Sequence, residues 1–279
     1  MIEKNNGFIE HLPSLVGRRA ARPANDALHL SRGIPGDIFR TVSDCCAALI
    51  LLVVASPVIL LAALLVKITS RGPAFYTQTR MGRKGRAYTI YKLRTMKHNC
   101  ESVSGPCWSI AGDDRVTAVG RLLRKTHLDE FPQLWNVVRG EMSLVGPRPE
   151  RPEFMPQLAS AIPLYRARLM VHPGVTGLAQ VQLPPDTDLP SVRLKLAYDL
   201  YYVAHRSLGL DLRIIAATTL KMLGLPYAMI SRVLFLPRGE VVENQYRAFV
   251  DEHRTEPIVR RRNHTDSDDM IDLEMAPCG

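Results

Sequence analysis

Cysteine is sparse in this chain, with five in 279 residues: Cys45, Cys46, Cys100, Cys107 and Cys278. No two form a CxxC pair, and Cys100 and Cys107 stand too far apart for the usual zinc-knuckle spacing. A disulfide framework and a structural zinc site are therefore not expected; reduced thiols facing the cytosol are. A secretory leader is not expected either, because Ile2 to Asp37 is polar and arginine-bearing, with no near-terminal apolar core. Acidic residues are the minority sign, 27 against 36 lysines and arginines, for a net charge of +9. That surplus points to a polyanionic partner, whether nucleic acid, an anionic bilayer or phosphorylated substrates. Composition does not choose among the three. The length suits one or two domains with a core of ordinary size.

Long apolar runs are missing too, with one exception. From Cys45 to Val66 no residue is charged, and 22 residues at about 1.5 Å each reach roughly 33 Å as a helix. A single membrane span is the default. Two features favour a re-entrant hairpin instead. Ser56-Pro57 lies mid-segment, where proline removes a backbone donor and bends a helix. Basic residues also flank both ends: Arg32 and Arg40 before, then Lys67, Arg71, Arg80, Arg83, Lys84 and Arg86. The positive-inside bias keeps both flanks on one side. A helix broken at Ser56-Pro57 satisfies this, with the serine hydroxyl serving a freed backbone carbonyl.

Residues 1–37 read as a flexible basic arm, 38–70 as the membrane helix, 71–236 as a cytosolic catalytic domain and 237–279 as a polar, disordered tail. Within the domain, Ala74–Thr79 and Ala87–Leu93 alternate aromatics and β-branched residues around Gly82-Arg83-Lys84-Gly85, a β-hairpin pattern. Asn99 to Asp114, with Trp108, reads as a loop. Val116, Val119, Leu122 and Leu123 have the spacing of an amphipathic helix whose other face carries Arg115, Arg121, Arg124 and Lys125. Pro190 to His205 forms a helix whose Leu194, Ala197, Tyr198, Tyr201 and Tyr202 stripe suits core packing. Leu210 to Leu223 and Ala228 to Leu236 are too short and too charged to span, and fit as interfacial amphipathic helices. The fold class is α/β, rich in helix.

The chemistry concentrates in Thr126 to Glu150, THLDEFPQLWNVVRGEMSLVGPRPE. Pro132 fits the first turn of a helix, with Leu134, Trp135, Val137 and Val138 facing the core and Gly140 ending it. Asp129 and Glu130 then sit at a helix start, where the dipole favours anions and backbone N–H groups suit a phosphate. Adjacent carboxylates repel, so a divalent cation or an arginine is needed to keep both charged. Arg148 follows, held between Pro147 and Pro149.

The run LDEFPQLWNVVRGEMSLVGPRP, with upstream KLRTM and GRLLRKT and downstream HPGVTGLAQV, resembles the bacterial sugar transferase family, the monotopic phosphoglycosyl transferases. The resemblance covers about Arg40 to Leu223 and looks like the small, core-only form. It implies transfer of a sugar 1-phosphate from a nucleotide sugar, with UDP expected, to polyprenyl (undecaprenyl) phosphate at the cytoplasmic face of a bacterial inner membrane. It implies Asp129 as nucleophile, Glu130 as its acidic partner, and Mg²⁺ at the pair, held by Asp129 with Glu130 as second candidate. Arg124, Arg148, Lys92 and Arg94 become phosphate contacts, and Ser56-Pro57 the membrane-helix break. Partners are then the donor, the lipid phosphate and an anionic membrane, with no nucleic acid; a homodimer is left open. One departure stands out. Many members follow GLAQV with an Asn-Gly-Arg segment whose arginine lies near the active site, where this chain has Gln182-Leu183-Pro184-Pro185-Asp186. Arg166, Arg168 and Arg193 are the candidate replacements. A Mg²⁺-dependent nucleotide-sugar pyrophosphatase and a non-catalytic envelope-assembly scaffold are the alternatives.

Overall fold

The computed structural model describes residues 37–100, 113–186 and 188–255. The expected basic arm, Trp108 and the far end of the tail lie outside the described residues. Helix α1 (Asp37–Thr69) is 33 residues long and apolar enough to cross a membrane. It is one helix with Pro57 inside. Proline has no N–H to offer the carbonyl four residues back. The Ser56 hydroxyl donates to that carbonyl, Val53 O, at 2.8 Å, so the acceptor freed by Pro57 is satisfied from the neighbouring side chain.

Both ends of α1 dock on the same globular body. At its start, the Asp37 carboxylate takes Arg83 and Arg206, and Arg40 pairs with Asp211. Two turns on, Asp44 accepts from the Ser143 hydroxyl. At its end, Ile59, Ala62, Ala63 and Val66 pack with Leu93 and Leu123. Their i, i+3, i+4, i+7 spacing is one helical face. Between these points the same face stays packed through Ala48, Leu52 and Ala55, while Val53, Val54, Val58, Leu60 and Leu61 on the other side are exposed.

Strands β1 (Phe75–Met81) and β2 (Ala87–Leu93) form the anticipated antiparallel hairpin, with Phe75 opposite Leu93 and Met81 opposite Ala87. The first strand runs two residues past the expected Thr79. A 3₁₀ turn at Arg83–Gly85 closes it. Helix α2 (Ala118–Lys125) is capped by Thr117, whose hydroxyl accepts from Gly120 N at 2.9 Å. Leu123 is buried, but Leu122 is exposed, which narrows the apolar stripe expected there. After a 3₁₀ turn at Leu128–Gln133 comes the short helix α3 (Leu134–Val138).

The second sheet is a parallel pair, β3 (Ser143–Val145) with β4 (Gly174–Thr176). Helix α4 (Met155–Ala161) and a 3₁₀ turn at Tyr165–Met170 lie between them. Gly146, at the root of the Pro-flanked arm, runs so close to the chain before β4 that a Cβ there would collide with His172 O. Only glycine lets the two backbones approach this closely.

Helices α5 (Leu178–Gln182), α6 (Leu189–His205), α7 (Leu208–Met222), α8 (Tyr227–Val233) and α9 (Gly239–Thr255) complete the described chain. Asp188 closes a capping box at the start of α6. The α6 stripe packs as expected: Ala197, Tyr198 and Tyr202 are buried with Leu196 and Leu200 against Ile214 and Ala217 of α7. Helix α9 corrects the expectation that the chain is disordered from residue 237. Its Val242 and Tyr246 are buried in the main core, and the Tyr246 hydroxyl donates to Pro163 O at 3.3 Å. Polar composition hid two apolar residues one turn apart, enough to hold a helix to α6. The architecture is thus helix-rich α/β, with one long apolar N-terminal helix and two small sheets among the described residues.

Candidate active site

The acid pair does not open a regular α-helix. It lies in the 3₁₀ turn Leu128–Gln133, entered through His127 at φ 54°. Pro132 sits inside that turn and is buried, so the six residues form a rigid step before α3. Leu134 and Val137 face the core as expected, but Trp135 is 46% exposed and Asn136 is fully buried in its place. Asn136 accepts from Tyr91 N at 3.2 Å and donates to Thr89 O at 2.7 Å, bolting α3 to β2. The clue in sequence was a lone amide inside the apolar run LWNVV.

The two carboxylates have different surroundings. Glu130 accepts from Lys92 Nζ at 2.8 Å and from Arg148 Nη2 at 2.9 Å, with Arg148 Nη1 on its second oxygen at 3.5 Å. Burial alone would raise its pKa, but the Arg148 and Lys92 charges outweigh that and hold it well below the usual carboxylate range. Asp129 is also buried, yet no hydrogen bond reaches its carboxylate among the described residues. Burial, then the Glu130 charge, pushes its pKa up, against the pull of Lys92, Arg124 and Arg148. One acid is an anchored anion; the other is a lone carboxylate within reach of three cations.

The remaining candidates divide. Lys92 projects from β2 onto Glu130, and Arg148 reaches it from the arm. Arg124 lies near Asp129, with its Nε donating to the Thr95 hydroxyl at 2.9 Å. Arg94 is corrected. Its guanidinium is buried and donates to Arg71 O at 2.6 Å and to Ser70 O at 2.9 Å. It ties the end of α1 to β2, with both Nη groups committed to these carbonyls and to the Ser70 hydroxyl. Ser56 and Pro57 are on α1, in its exposed middle.

Of the proposed replacements for the missing arginine, Arg168 is buried and paired with Asp199 at 2.7 Å, and it donates to Arg148 O at 2.8 Å. It holds the arm from behind. Arg193 pairs with Glu243 at 3.3 Å and stacks over Tyr246. Arg166 is on the surface of its turn. Asp199, hidden in the apolar stripe of α6, was not anticipated as the partner of Arg168.

A divalent cation would find one uncommitted carboxylate here. Asp129 fits such an ion, because Mg²⁺ is commonly held by one or two carboxylates plus substrate phosphates and waters. Glu130 does not fit as a second ligand, since both its oxygens are taken by cations. Among the described residues there is no group of three or more potential ligands.

The sequence matches the bacterial sugar transferase family over residues 36–224. It is 43% identical over 156 residues to a UDP-N-acetylgalactosamine-undecaprenyl-phosphate N-acetylgalactosaminephosphotransferase of Aeromonas hydrophila, covering 56% of this chain and 37% of that one. It is 46% identical over 164 residues to a UDP-glucose:undecaprenyl-phosphate glucose-1-phosphate transferase of Caulobacter vibrioides, covering 58% and 61%. With the exopolysaccharide production protein PSS of Rhizobium leguminosarum bv. phaseoli it shares 41% identity over 166 residues, covering 58% and 83%. The chain therefore spans 37% and 61% of the first two relatives, less than two thirds of each.

Proposed function

We propose, from the premise that this chain belongs to the bacterial sugar transferase family, that it moves a sugar 1-phosphate from a nucleotide sugar, UDP-linked, onto undecaprenyl phosphate. The observation that carries this is the division of labour in the acid pair. Glu130 is consumed in holding Lys92 and Arg148 together, and Asp129 faces those cations without a partner of its own. A carboxylate so placed is free to attack phosphorus.

In the first step an Asp129 carboxylate oxygen bonds to the sugar-bearing phosphorus. The bond from that phosphorus to the bridging oxygen breaks, and nucleoside monophosphate leaves with the electron pair. In the second, a phosphate oxygen of the lipid attacks the same phosphorus and the Asp129 oxygen departs as carboxylate, giving the polyprenyl diphosphosugar. Arg148 and Lys92, already oriented by Glu130, neutralise charge on the phosphoryl oxygens. A Mg²⁺ ion on Asp129 would supply Lewis-acid polarisation and shield nucleophile from donor. The two steps let a soluble and a lipid-borne substrate use one site in turn.

The membrane reading extends this. In the bilayer α1, unbroken from Asp37 to Thr69 in the structure, is proposed to bend at Ser56-Pro57, entering one leaflet and returning. Docking of both ends on one domain supports it. Helices α7 and α8 lie at the interface, supported by exposed Leu212, Leu223, Met229 and Phe235. The described residues from 71 to 255, helix α9 included, then form the cytosolic catalytic domain at the inner membrane. Labelling in intact cells checks this: a cysteine placed before Asp37 stays protected from an impermeant thiol reagent until the membrane is opened. Reaction from outside defeats the hairpin.

The activity is tested by incubating membranes bearing the protein with undecaprenyl phosphate, Mg²⁺ and a panel of nucleotide sugars. One donor should yield nucleoside monophosphate and a lipid-linked sugar in equal amounts. Release of free sugar phosphate, with no lipid product, contradicts the transferase.

A further inference from the structure

The hairpin carries a cation that the site so far described does not use. Side chains two apart on a strand share a face, and directly paired residues share it across the ladder. Tyr76 is opposite Lys92, and Arg80 is opposite Tyr88. Arg80, Tyr88 and Lys92 therefore project from one face of the hairpin, the face from which Lys92 reaches Glu130. Along the strands the two cations are offset by four residues, about 13 Å. Arg148 lies within electrostatic reach of both. The end of β1 is fixed to the arm itself, as Met81 N donates to Glu150 O at 2.9 Å.

Arg80 differs from Arg148, Arg151 and Arg168, each paired with a carboxylate, in having no anionic partner among the described residues. Its Nη2 donates to the neutral Gln78 amide oxygen at 2.7 Å. Its Nε is buried without a partner among the described residues, and so is the hydroxyl of Tyr88 opposite. No carboxylate among the described residues stands within ion-pair distance of it. The charge that attracts it most, Glu150, is engaged by Arg168 at 3.8 Å and by Arg151 N at 3.1 Å. Arg148 and Arg151 repel it. Burial pushes the Tyr88 phenol pKa up, so it remains a proton donor.

A half-buried guanidinium whose Nε is shut off from water and has no counter-charge is costly unless an anion arrives to meet it. Two orphaned donors on paired strand positions, beside Arg148, offer a fork plus a hydroxyl to phosphate oxygens. We propose that Arg80, aided by the Tyr88 hydroxyl, binds a phosphate of the donor's diphosphate, and so supplies the contact that Gln182–Asp186 lacks. This rests on the donor assignment made above. Lys92 and Arg148 then face the phosphoryl group being transferred, and Arg80 faces the diphosphate from further along the hairpin.

The test is UDP affinity, measured with Mg²⁺ on the full chain in detergent, alongside the melting temperature without nucleotide. Arg80→Gln should weaken UDP about tenfold or more, the value of a lost charge-assisted contact. Its ligand-free melting temperature should be unchanged or higher, because an unpaired, half-buried charge has gone. Tyr88→Phe, which removes one hydroxyl, should weaken UDP about three- to tenfold. Unaltered affinity in Arg80→Gln overturns the proposal. So does weakened affinity accompanied by a clear fall in melting temperature or loss of the fold, which makes Arg80 a structural strut. A wild-type chain that ignores UDP refutes the donor assignment and this inference together.

Discussion

Asp129→Asn abolishes the trapped phosphosugar adduct and lowers lipid glycosylation by about 10⁴-fold or more, as expected when a covalent nucleophile is removed. Its effect on the fold runs the other way. Asp129 is buried, accepts no hydrogen bond among the described residues, and has a raised pKa from burial and from Glu130. A carboxyl whose folded pKa lies above its unfolded value binds its proton more tightly when folded. Its charge therefore works against folding once pH rises through that folded pKa. Asparagine removes this penalty, so the variant's melting temperature at neutral pH equals or exceeds wild type. Mass spectrometry of the donor-treated protein reads the adduct, and thermal unfolding reads the stability. An intact adduct on Asp129→Asn defeats the nucleophile assignment; a marked loss of stability shows a carboxylate with a structural task.

Glu130→Gln gives the opposite pairing. Glu130 holds Lys92 at 2.8 Å and Arg148 at 2.9 Å in a largely buried site. Removing one member of such a set strands the others, at a cost of about 3 kcal/mol. The low end applies because Arg148 remains partly exposed and screened by solvent. For a chain of this size that is a fall of about 6–12 °C in melting temperature. Activity falls by about 10²-fold, since Arg148 and Lys92 lose their alignment rather than their charge. The pH sign follows from the depressed pKa. The stabilisation is complete above the ordinary glutamate value of 4.5 and is lost as pH falls below it toward the folded pKa. Below that range wild type and Glu130→Gln should converge in stability. Equal melting temperatures at neutral pH would contradict the anchor role.

Much of this site was legible because its residues sit in a short, contiguous stretch. Asp129, Glu130 and Arg148 were visible as an acid pair, a proline and a Pro-flanked arginine, and the structure brings Arg148 onto Glu130. What the sequence left undetermined is which cation each carboxylate meets. That depends on β2 delivering Lys92 and on the arm folding back, both long-range events. Arg94 illustrates the limit. It is two residues from Lys92 in the same basic motif, yet it points to the end of α1. Trp135 was assigned to the core on hydrophobicity, but a five-residue helix buries one narrow face, and Asn136 occupies it. Helix α9 was overlooked for a related reason: two apolar side chains a turn apart carry little signal in a charged stretch, but they meet a prepared surface on α6. Arg80 could not be singled out in sequence, because nothing local shows that an arginine will fold into a place without an acid.

The fastening of α1 at both ends has a consequence for how the protein senses its surroundings. A rod crossing the whole bilayer is sorted by hydrocarbon thickness, through tilt and mismatch. On the re-entrant reading proposed above, a wedge confined to one leaflet has no opposite headgroup region to reach, so thickness should matter little to it. It instead displaces lipid area on one side alone, and its insertion should respond to packing and curvature of that monolayer.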